Sequence, residues 1–160
     1  MRASIVGLAF AVGLVAVGVA VAGANGHWKT HPTGDGEVPA NASLGQAQAQ
    51  FRLSDDGSSL SYKLNVANIE NVTQSHIHMA PAGVNGPIVA WLYPSAPPAQ
   101  LIPGRSGGTL GEGTITAANL VGPLTGRPLS ALVDAINAGN AYVNVHTSQF
   151  PPGEIRGNLP

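Results

Sequence analysis

From Ala47 to Val66 apolar and polar residues alternate with a period of two. Ala47, Ala49, Phe51 and Leu53 fall on one side, with Gln48, Gln50 and Arg52 on the other. "DDG" at 55–57 interrupts the run. Leu60, Tyr62, Leu64 and Val66 then resume it against Ser61, Lys63 and Asn65. Successive strand side chains point to opposite faces, so this pattern predicts an antiparallel hairpin with one buried face. "QSHIHMA" predicts another short strand, "PIVAWLY" a more buried one, and "GTLGEGTITAANL" one or two more. "AYVNVHT" and "GEIRGNL" predict a closing pair around "FPPG". The Pro/Gly-rich stretch "PSAPPAQLIPGRSGG", residues 94–108, has no period and predicts a loop. One segment changes period. In "PLSALVDAINAGN", Leu129, Leu132, Val133 and Ile136 follow helical spacing and Gly139 is a natural stop. The expectation is a mainly β fold, an antiparallel Greek-key β-sandwich with one short helix near 129–138 lying on the sheet.

Composition narrows the function. Charged residues make up 9% of the 160, and the formal net charge is -1. Nucleic-acid binding needs clustered Lys and Arg, so no nucleic-acid partner is expected. The chain has no cysteine, which excludes disulfides, thiolate metal sites and a Cys nucleophile. The first residues, "MRASIVGLAFAVGLVAVGVAVAGANG", carry Arg2, an apolar run and then small residues. That order predicts a signal peptide over 1–24, hence a secreted product, extracellular or periplasmic. An uncleaved anchor is the alternative, because a span takes ~20 apolar residues. Residues 25–160 are expected to form one domain with no membrane span after cleavage.

Two of the five histidines, His76 and His78, sit two apart in "SHIHMA". In a strand they share a face, while Ile77 and Met79 take the other. The same parity puts Tyr142, Asn144 and His146 together on the polar face of "AYVNVHT". If the two strands are neighbours, His76, His78 and His146 converge as a three-nitrogen site suited to copper or zinc. The plain alternative is three hydrogen-bonded polar side chains facing water. Glu154 and Arg156 share parity on the last strand. Together with Asn144 they are candidates for orienting an imidazole or attracting an anion, with an ion pair or a loop clamp as the alternative. Glu37, ahead of Val38-Pro39, reads as structural, with reach toward a metal as its alternative. No Gly-x-Ser-x-Gly, P-loop or H-E-x-x-H is present, so no catalytic residue is assigned and enzymatic activity is not expected.

Three stretches carry a family resemblance. "GDGEVPA" (34–40), "SHIHMAPAGVNGPIVAWL" (75–92) and "YVNVHTSQFPPGEIRGNL" (142–159) resemble, in order, the opening, central and closing elements of CHRD (chordin-type) domains in their secreted single-domain form. The resemblance implies an immunoglobulin-like β-sandwich acting outside the cell, without an established reaction. It implies a non-catalytic binding or structural module whose partner is an extracellular protein, a glycan or an envelope component. A weaker likeness is to the copper/zinc superoxide dismutase sandwich. There His76, His78 and His146 would stand where three copper ligands stand, and Arg156 where an anion-guiding Arg stands. No histidine lies between 79 and 145, so the bridging imidazole and the zinc-loop histidines of that family are missing. The alternative function is therefore a mononuclear copper (or zinc) protein, with dismutase-like activity as its furthest extension.

Overall fold

The structure, a computed structural model, describes residues 26–160; the expected leader at 1–24 lies outside the described residues. Seven strands form one antiparallel sheet: β1 (His27–Thr30), β2 (Gln46–Leu53), β3 (Leu60–Met79), β4 (Ile88–Tyr93), β5 (Ile102–Ile115), β6 (Ala141–Thr147) and β7 (Ile155–Leu159). Among the described residues the expected mainly β fold with a single short α-helix is present. The sheet rolls up as a sandwich that is nearly a closed barrel.

β2 and β3 make the predicted hairpin, with Phe51 opposite Tyr62 and Ala49 opposite Leu64. The turn is held by Asp56, whose carboxylate accepts from the Ser54 hydroxyl and from the backbone and hydroxyl of Ser58. α1 (Leu129–Asn137) buries Leu129, Leu132, Val133 and Ile136, the stripe its spacing predicts. Gly139 takes φ +69°. Its N–H reaches the Ile136 carbonyl and the Asn140 N–H reaches that of Ala135, a Schellman stop. Trp28 of β1 ties the helix end to the sheet by donating from its indole to the Asn137 side chain.

Two expectations need correction. "LSYKLNV" and "QSHIHMA" are one strand rather than two: β3 runs unbroken for 20 residues. The stretch at 94–108 is a loop only to Leu101, because β5 begins at Ile102 and pairs with β3 from Val72 back to Leu60. Glycines and exposed polar residues occupy most of β5, so it has no alternation to read.

β3 organises the fold. Its first part lies between β2 and β5, and its last part lies between β4 and β6. Between them Asn68 and Asn71 adopt φ +54° and +53°, and the pairing with β5 and β6 shifts register at several points from Val66 to Gln74. An inserted residue swaps the faces of everything that follows. The core face is even-numbered through Val66 and odd-numbered at Ile77, so His76 and His78 point away from the core. β6 follows suit, with Val143 and Val145 inward. Opposite β3, the sheet closes through Thr33, which bridges both Gln46 at the start of β2 and Arg156 on β7. No helix among the described residues is long and apolar enough to cross a membrane.

Candidate functional site

The outward face of β3, β6 and β7 was expected to be wet, but it is buried. Every residue of β6 is buried, and so are His76, His78 and Arg156. Three connections cover this face: the segment before β2 that carries Glu37, the Pro81–Pro87 loop, and the Phe150–Glu154 turn. Sequence parity found which side chains share the face. It could not show the cover, since loops announce their flexibility and not what they lie on.

The pairing of β3 with β6 sets His76 opposite Asn144 and His78 opposite Tyr142. This brings the histidines together. One ligating nitrogen from each of His76, His78 and His146 lies within 4.8 Å of the others. The His76 Nδ1 is 3.2 Å from the His146 Nε2.

Two of the rings are fixed in tautomer. The Nδ1–H of His78 donates to the Gly86 carbonyl at 2.9 Å, and that of His146 donates to the Pro151 carbonyl at 2.8 Å. A carbonyl can only accept, so in the neutral rings both Nε2 atoms hold lone pairs. The His78 Nε2 and the His76 Nε2 are buried without a hydrogen-bond partner. The His78 ring also stacks on Tyr142, with centroids 4.8 Å apart and planes within 8°. His76 meets Trp91 of β4 edge-on at 4.3 Å.

Burial sets the charge state. Desolvation, and then the neighbouring His146 and His78, push His76 down to about 3. Desolvation pushes His78 down to about 4 against the opposing bond to Gly86, and His146 is lowered for the same first reason. Near neutral pH all three imidazoles are uncharged, the form that binds metal.

The polar neighbours Glu154 and Arg156 take the loop-clamping alternative, and none of their hydrogen bonds goes to a histidine. The carboxylate of Glu154 touches no histidine. It accepts from the Ser43 and Thr147 hydroxyls, each at 2.6 Å, and so clamps the segment before β2 onto the end of β6. The imidazole-orienting acceptors are backbone carbonyls, which no sequence pattern marks. Asn144 donates to the Glu37 carboxylate at 2.5 Å. Gly153 permits that contact, because a Cβ there would sit 2.3 Å from Asn144 Nδ2. Burial, partly offset by the Val38 backbone and Arg156, raises the Glu37 carboxyl to about 7. Arg156 is buried, and its guanidinium lies 3.4 Å from the centre of the Tyr142 ring. It donates to the Asn85 side chain and to the Val84 carbonyl.

The family model described as the CHRD domain matches residues 28–159. No curated protein and no solved structure matches the chain.

Proposed function

The chain belongs to the CHRD-domain family, and on that premise we propose that it is an exported, non-catalytic module that holds one copper(II) or zinc(II) ion on His76, His78 and His146. The observation that carries this reading is the convergence of three neutral, buried ring nitrogens within 4.8 Å, two of them on rings set by backbone carbonyls. Three nitrogens each 2.0–2.1 Å from one tetrahedral ion lie about 3.4 Å apart, so the rings would have to draw together by up to about 1.4 Å on binding. Imidazole suits both metals, and copper(II) leads the divalent series, so copper is the first expectation. An export role is supported by the extracellular character of CHRD domains and by the leader-like first residues.

Holding an ion, rather than turning over a substrate on it, follows from access. The His76 and His78 Nε2 atoms are buried and have no hydrogen-bond partner. Arg156, the one candidate for guiding an anion, commits both Nη atoms to Asn85 and Val84 and lies over Tyr142, and its Nε is buried without a partner. Both features weigh against dismutase-like activity.

The test is copper(II) and zinc(II) titration of the purified protein above pH 7, with metal content measured after dialysis. One equivalent of copper is expected for the wild type, and none for His78→Ala or His146→Ala. A wild type that takes up neither metal would overturn the reading.

A further inference from the structure

We propose that Arg156 is a positioning residue: it latches the Pro81–Pro87 loop so that the Gly86 carbonyl holds His78 in the Nδ1–H tautomer. The inference rests on the metal-site reading for its purpose, but not for its geometry. Arg156 is an unusual investment, a charged side chain 1% exposed. Burying a guanidinium is costly unless its donors are matched. Two of them are matched inside this one loop: Nη1 donates to Asn85 Oδ1 at 3.0 Å and Nη2 to the Val84 carbonyl at 2.9 Å. Asn85 in turn donates to the Val38 carbonyl at 2.8 Å. The loop is thereby fastened to β7 and to the Glu37 segment immediately before Gly86.

Gly86 is held from both sides. Its N–H donates to the Tyr142 hydroxyl at 3.1 Å, and its carbonyl accepts from His78 Nδ1. Tyr142 is also the ring under the Arg156 guanidinium. The close seat depends on the missing side chain, since a Cβ on Gly86 would lie 2.1 Å from the Met79 carbonyl oxygen. Arg156, Tyr142 and Asn85 thus fix one carbonyl oxygen, and that oxygen decides which nitrogen of His78 carries the proton. Without it the imidazole has no acceptor to keep the proton on Nδ1, and Nε2–H becomes available. His146 has its own acceptor at Pro151 and lies outside the latch.

The difference between the two histidines makes the test. Ring-nitrogen NMR of the ¹⁵N-histidine-labelled, metal-free protein should show both His78 and His146 as Nδ1–H in the wild type. In Arg156→Lys and in Asn85→Ala, His78 should become a tautomer mixture while His146 stays unchanged. A general loosening would move both. Asn85 is exposed, so Asn85→Ala alone decides the matter should Arg156→Lys fail to fold. Copper affinity of the variants should fall about 10- to 100-fold, the usual effect of losing a ligand-orienting partner. A His78 that stays fully Nδ1–H in the variants, or is not Nδ1–H in the wild type, would overturn the proposal. If the wild type takes up neither copper nor zinc, the metal reading falls and the tautomer result alone decides the latch.

Discussion

A histidine that has lost its charge to burial changes how the protein responds to acid. The unfolded chain takes up a proton on each of His76, His78 and His146 near pH 6.5. The folded chain does not until about 3 for His76 and about 4 for His78, with His146 also lowered. Their depressed values therefore contribute stability that is complete above pH ~6.5 and is lost as the pH falls toward 4. Each proton difference is worth about 1.4 kcal/mol per pH unit. Glu37 acts in the opposite direction. Its folded value of about 7 lies above the ordinary value of 4.5, so the folded state gains a proton first and recovers stability between pH 7 and 4.5. Three groups outweigh one. Denaturant unfolding of the metal-free protein should show stability dropping by a few kcal/mol between pH 7 and 4.5, and a flat profile would contradict buried neutral imidazoles. At this scale the sequence was legible as far as parity reaches. His76, His78 and His146 share a face because they are even-numbered on neighbouring strands. That Gly86 and Pro151 supply the acceptors, and that Glu154 serves Ser43 and Thr147, depends on loop paths that no residue type encodes.

The decisive element is β3. A regular strand of its length would have kept even numbers inward to the end and put His76 and His78 in the core. Asn68 and Asn71, in the left-handed region, and the register shifts around them hand the core face to odd numbers. Asparagine tolerates that region better than most residues. Asn71 also receives a bond from the Gly104 N–H on its side chain and one from the Ser148 N–H on its carbonyl. Asn71→Val places a β-branched residue at φ +53° and removes the side-chain acceptor. It should lower stability by roughly 1–3 kcal/mol in denaturant unfolding, with weaker copper uptake if the histidine face turns. Asn71→Gly should cost much less. The same asparagines explain why β3 reads as two separate strands: alternation breaks where they fall, and a parity break looks like a strand end. The β2–β3 hairpin and α1 were legible in full, because each has one uninterrupted period and a recognisable stop.

At the scale of the whole molecule, the all-β class with one helix was legible from many short alternating runs, and the three quoted motifs marked nearly the whole span of the CHRD match. The closure through Thr33 was not, since a single bridging residue leaves no pattern. The place of β3 in both parts of the sheet has a consequence for how the molecule tolerates being cut. Ser95–Gln100, between β4 and β5, is exposed and has no regular structure. A protease that nicks there separates β1–β4 from β5–β7 in the covalent chain. Yet β3, on the first piece, is hydrogen-bonded to β5 and β6 on the second. The nicked protein should run as two fragments on a denaturing gel and as one particle on a native column, its three histidines still facing one another across a chain that is no longer continuous.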